Sequence, residues 1–119
     1  MSSEIDQTIA DDQHIADVFF ALGDGTRLAL VQRLVEQGAQ SATRLSVNAH
    51  VTRQAIIKHL LVLENARLVV HERRGREVLY ALDRQRLDQA HAFLGGIAAG
   101  WDRAIGRLRD IVETGPSDN

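Results

Sequence analysis

Arg53, Gln54 and Lys58 carry the hydrogen-bonding chemistry that stands out in this chain, and helical spacing puts them together. They lie in "VTRQAIIKHLLVLENA", residues 51–66. At about 100° per residue, Ala55, Ile56, His59, Leu60, Val62, Leu63 and Ala66 share one side of a helix. Arg53, Gln54, Ile57, Lys58, Leu61, Glu64 and Asn65 share the other. The first set is a core face with a histidine in it. The second is too polar for a core, yet it holds Ile57 and Leu61. A guanidinium can fork to O6 and N7 of guanine, and a carboxamide can pair with N6 and N7 of adenine. An ammonium suits a phosphate. A merely solvated polar face is the other reading of the same residues, and this helix alone weighs the two evenly.

A second cluster of cations follows. "HERRGREVLYAL" places Arg73, Arg74 and Arg76 around one glycine, with just two nearby glutamates. Guanidinium groups at such a tip can reach a nucleic-acid backbone or a narrow minor groove. A solubilising hairpin tip is the plainer alternative. Arg44 is a weaker phosphate candidate, and Thr52 could offer a hydroxyl or a helix N-terminus to a phosphate.

Other chemistries find less support. No phosphate-cradling glycine loop and no nucleophile with a plausible base occurs, so an enzyme reading has nothing to rest on. The chain has no cysteine, which removes disulfides, thiolate metal sites and thiol redox sensing. Asp88 and His91 are three residues apart and could share an ion, but no second histidine follows on that helix. No metal site and no cofactor are expected. His59 is expected to be structural, with a ring nitrogen bonded to a neighbouring backbone group.

The elements that must position these residues can be read from periodicity. The 119 residues make one domain, 45% hydrophobic and 25% charged. The net charge of −2 conceals an asymmetry: residues 1–24 carry −6, whereas 41–80 carry +4. An acidic N-terminal arm is expected over 1–9 and a first helix over about 10–22. A second helix is capped by Asp24, ended by Gly38, and striped by Leu28, Val31, Leu34 and Val35. Ser41 caps a short third helix, "HVT" makes a tight connection, and Thr52 caps the fourth. Residues 68–82 then switch to period two, with Arg74–Gly75 as a hairpin turn. Asp83 caps a long last helix to about 113, and 114–119 form a disordered tail. The fold class is therefore mainly α with a small β-hairpin: a winged helix-turn-helix of about five helices plus a two-stranded wing. No run is apolar enough for a membrane span, and the N-terminus lacks a secretory pattern, so a soluble intracellular protein is expected.

From about Val18 to Val112 the sequence resembles the ArsR family of winged-helix transcriptional regulators. "LGDGTRLALVQRL" is similar to the family's opening helix, "LSVNAHVTRQAIIKHLLVLENARLV" to its helix-turn-helix, and "HERRGREVLYAL" to its wing. His50 stands where the turn usually has glycine, and Ile57 where a small polar residue is usual. The last helix resembles the branch without metal-binding cysteines. The resemblance implies a cytoplasmic homodimer, joined through its first and last helices, that represses transcription from an operator in double-stranded DNA and is released by a signal. DNA-binding candidates are then Arg44, Thr52, Arg53, Gln54, Ile57, Lys58, Arg73, Arg74 and Arg76. The rival functions are a winged-helix protein-interaction module and a nonspecific architectural DNA binder.

"FLGGIAAGW", residues 93–101, is the least expected stretch. Gly95, Gly96 and Gly100 each cost a helix about 1 kcal/mol relative to Ala. Tight packing at a dimer seam is the preferred reading for Phe93, Gly96, Gly100 and Trp101. A cavity near Trp101 for an unknown apolar effector is the alternative.

Overall fold

Thr52 starts the helix that carries the candidate residues. Its backbone is extended and its hydroxyl accepts from the backbone N–H of Ala55 at 3.1 Å, so Arg53–Asn65 follows as a helix. Replacing such a cap with alanine costs about 1 kcal/mol. The computed structural model describes residues 3–114, with side chains from Gln13 onward. The chain runs α1 (Ser3–Leu22), α2 (Gly25–Gln37), β1 (Gln40–Ser41), α3 (Ala42–Ser46), α4 (Arg53–Asn65), β2 (Val69–Arg74), β3 (Glu77–Leu82) and α5 (Arg84–Thr114).

The caps match the sequence reading. Asp24 accepts from the N–H of Arg27 at 3.0 Å and Gly38, at φ +77, ends α2. The Ser41 hydroxyl accepts from Arg44, and the Asp83 carboxylate from the N–H of Gln85. In the connection between α3 and α4 the left-handed residue is Asn48, at φ +63, two positions before His50. Asparagine tolerates that conformation better than histidine does. Arg67, also at φ +63, closes α4.

Three expectations are corrected. The first helix starts at Ser3 rather than near residue 10, and it takes in most of the segment read as an arm; no glycine or proline interrupts Met1 to Leu22. The buried stripe of α2 is Leu30, Val31 and Leu34, while Leu28 and Val35 are exposed, because α2 turns a face about 70° away from the expected one toward the core. The hairpin loop is Gly75–Arg76, since Arg74 pairs with Glu77; Gly75 takes φ +61 at the first loop position. The two-stranded wing, β2 and β3, is joined by a third strand that was not anticipated: Gln40–Ser41 pairs with Tyr80 and Leu79, giving an antiparallel sheet of order β1-β3-β2. Two residues are too few to show a period. The helix ends at Thr114, and the rest of the expected tail lies outside the described residues.

The core sits where α1, α2, α3 and α4 meet the base of the hairpin. Leu45, Ile56, Leu60, Leu63 and Leu68 are fully buried there, with Val18 from α1 and Val69 from β2. Each such side chain contributes about 1.5–3 kcal/mol by leaving water. The inner face of α4 is therefore the one anticipated. Arg33 ties α2 to the end of α3, donating to the carbonyls of Leu45 at 2.8 Å and Arg44 at 3.2 Å. α5 docks on α1, with Phe93 against Phe19 at a ring separation of 6.0 Å.

His59 is half-buried, but its partner is not the backbone group expected. Its Nδ1 lies 3.3 Å from the Arg27 guanidinium and 3.9 Å from the Asp24 carboxylate. Arg27 also donates to the carbonyl of Ala21 at 2.7 Å, so one side chain joins α1, α2 and α4. The N–H that Arg27 gives to Asp24 holds that carboxyl below the usual carboxylate range.

Candidate nucleic-acid interface

With Ile56, Leu60 and Leu63 pinned in the core, helical geometry turns Arg53, Gln54, Ile57, Lys58 and Leu61 outward. Ile57 is 37% exposed and Leu61 55%, so neither is withdrawn into the core of the chain. Arg53 and Gln54 occupy the N-terminal turn of α4, the end at which recognition helices meet base edges.

The fold brings three of the candidate arginines to one place. A groove of about 470 Å³ runs between α3, the start of α4 and β3. Arg44, Arg53, Ile57 and Arg76 line it, together with Thr43, Glu77 and Tyr80. Three guanidinium groups against one carboxylate make it cationic, the electrostatics a phosphate backbone requires. The Nε–H of Arg53 donates to the Thr43 hydroxyl at 3.1 Å, which anchors the guanidinium to α3.

Arg73 and Arg74 stand at the wing tip, at the end of β2. Arg74 lies 3.5 Å from Glu72, an exposed pair of little energetic weight. Arg73, Arg76 and Lys58 make no ion pair among the described residues. The wing is held toward α4 by His71, whose ring contacts the Glu64 carboxylate and lies 5.9 Å from the Tyr80 ring. Burial and the nearby Glu64 raise the Tyr80 phenol above its usual range, so it is a neutral hydrogen-bond donor at physiological pH.

Thr43 and Tyr80 are the residues that sequence reasoning missed. Tyr80 was accessible through the period-two alternation that sets it on the same face as Val78. Thr43 was not, because its contact arises from the crossing of α3 and α4.

Phe93, Gly96, Gly100 and Trp101 lie apart from this groove, on α5. Trp101 is 66% exposed, and nothing beyond the neighbouring backbone of α5 itself lies within 4 Å of where a Cβ would stand on Gly95 or Gly96. The described residues thus do not by themselves enclose a cavity at Trp101, the alternative reading of this stretch. Beyond Ala90, Leu94, Ile97, Trp101, Ala104, Leu108 and Ile111 repeat at alternating spacings of three and four. All but Ala104 are exposed. That spacing is the one coiled-coil seams use. Asp88, half of the weighed metal pair, receives the Nε–H of Arg84 at 3.1 Å. No helix among the described residues is long and apolar enough to cross a membrane.

No family model matches the chain, but individual proteins do. It is 34% identical over 98 residues to the HTH-type transcriptional regulator Rv2034 of Mycobacterium tuberculosis, covering 82% of this chain and 88% of that protein. It is 38% identical over 86 residues to the HTH-type transcriptional repressor SmtB of the same species, covering 71% of this chain and 61% of that protein. Among solved structures, an ArsR-like transcriptional regulator from Rhodococcus sp. RHA1 superposes with a TM-score of 0.74 at 36% identity, over 83% of this chain and 92% of that one. These relatives are transcriptional regulators, not enzymes.

Proposed function

This chain belongs to the ArsR family of winged-helix, DNA-binding transcriptional regulators, and from that premise we propose that it is a homodimeric repressor of a pseudo-palindromic operator. In this reading the domain is residues 10–113, working in the cytoplasm on double-stranded DNA. The carrying observation is the surface that joins the outward side of α4 to the arginine-lined groove and the wing. Arg53 and Gln54 read base edges, and Ile57 meets a thymine methyl in the major groove. Arg44, Thr52 and Lys58 hold phosphates, while Arg73, Arg74 and Arg76 reach the backbone or the minor groove beside it.

Dimerisation follows from α5. A second copy covers the exposed seam from Leu94 to Ile111, together with α1, and Gly100, on the flank of the seam beside Trp101, lets the helices approach closely. Trp101 belongs to that seam and Phe93, packed on Phe19, flanks it, so that a small-molecule effector acts there between protomers. Repression is the activity named for the SmtB relative. The release signal is not a metal in this proposal. The chain lacks cysteine, and no cluster of three or more metal-ligating side chains occurs among the described residues.

Selection from random DNA duplexes, followed by a salt titration, tests the proposal. A repressor enriches an inverted repeat with half-sites about 34 Å apart and loses affinity steeply with salt. Salt-sensitive binding without a consensus would support an architectural binder. Failure to bind DNA would support the protein-interaction module instead.

A further inference from the structure

The contact between Arg53 and Thr43 has a consequence for base reading. An arginine can meet guanine end-on, with its two terminal nitrogens, or side-on, with Nε and one terminal nitrogen. In this protein the Nε–H is committed to the Thr43 hydroxyl at 3.1 Å. Thr43 is itself well fixed. It lies within α3, which the Ser41 side chain caps at one end and the Arg33 guanidinium clamps at the other. Arg53 is fixed at its backbone, in the first turn behind the Thr52 cap. The side chain therefore spans two anchored helices, and Nη1 and Nη2 hold no hydrogen-bond partner among the described residues, which leaves the fork for a ligand.

We propose that Thr43 is a specificity-determining positioning residue: by accepting the Nε–H of Arg53 it imposes end-on pairing with a guanine and excludes the side-on mode. This rests on the reading of α4 as the base-reading helix. In the free protein the bond is exposed and weak. In the complex DNA displaces water from it, and a hydrogen bond in a drier environment is stronger. An ordered fork also loses less rotamer entropy on binding than a free one.

The test uses the full-length chain and an operator selected by the wild-type protein from random duplexes. Thr43→Val keeps the shape and removes the acceptor, and Thr43→Ser restores it. Affinities are measured for the operator and for each single-base variant, across a salt series. Thr43→Val should lower the preference for the guanine read by Arg53 by roughly 3- to 10-fold, the worth of one hydrogen bond. The salt dependence should not change. Thr43→Ser should stay within about twofold of wild type. In an Arg53→Ala background, Thr43→Val should alter the base preference no further. An unchanged preference in Thr43→Val overturns the inference. So does a uniform loss on all duplexes with a shallower salt dependence, which would place Thr43 or Arg53 on a phosphate. If the wild-type chain selects no consensus, the base-reading assignment fails first, which separates the two failures. Thermal melts of each variant report whether the fold is retained.

Discussion

α4 and the distal half of α5 both present apolar side chains to water, but they do so differently. α4 is complete within one chain. Its inner face is buried, its N-terminus is capped, and its exposed apolar residues, Ile57 and Leu61, stand among Arg53, Gln54 and Lys58. The distal half of α5 has no such inner face. The one buried residue of the whole helix is Ala90, near its start, and beyond it a seam from Leu94 to Ile111 lies open. Scattered apolar residues on a polar face are ordinary, whereas a continuous stripe marks a contact. In the proposed function the outer face of α4 touches something polar and charged, and the stripe of α5 something like itself.

The largest effect expected is from breaking the α5 seam. Trp101→Glu puts a carboxylate at the middle of the stripe, and sedimentation should show a folded monomer. Operator affinity should fall by about 100-fold or more, because two linked half-site contacts become one. Arg53→Ala leaves α5 intact and should cost about 1–3 kcal/mol of discrimination at one base pair. Arg74→Ala should weaken all duplexes alike and reduce the log–log salt slope by about 1. If these two variants behaved identically, the division of labour between α4 and the wing would be wrong.

Gly100→Ala sharpens the contrast. Outside its own turn of helix, the added Cβ would meet just the Arg103 guanidinium, at an ordinary 3.6 Å. In the monomeric Trp101→Glu background it should stabilise the helix by about 1 kcal/mol, seen as a higher melting temperature. In the otherwise wild-type chain the same methyl should weaken the dimer. Gains in both states would mean that the partner does not pass beside Gly100.

The smallest effect concerns pH. The Asp24 carboxyl is held below its ordinary value of 3.8, chiefly by the N–H of Arg27. Its stabilisation is present above that value and is lost as pH falls through the lower, folded-state value. Asp24→Asn still caps α2 but does not titrate. Its stability, followed by denaturant melts, should fall less steeply than wild type below about pH 4.

Much of the fold was legible because it is local. Asp24, Ser41, Thr52 and Asp83 cap the helices as their residue types imply, and the 3.6-residue period located the buried face of α4. What failed was set by packing. The face that α2 buries depends on where α1 and α4 lie, so Leu28 and Val35 were misplaced. β1 is recognised only by its pairing with β3. The partner of His59 is Arg27, 32 residues away. In the candidate site, the outward residues of α4 and the wing arginines were legible from charge and spacing. Their convergence with Thr43 and Tyr80 in one groove needed the crossing of α3, α4 and β3.

Phasing of the two half-sites tests the central claim most directly. Binding is measured on the selected operator and on a version with five base pairs inserted between its half-sites. A dimer that sets both α4 helices into successive major grooves binds the first as two chains per duplex. It should lose most of its affinity on the second, because about half a helical turn moves one half-site to the far face of the DNA. Equal affinity for both duplexes, or one chain per duplex at saturation, would contradict the account.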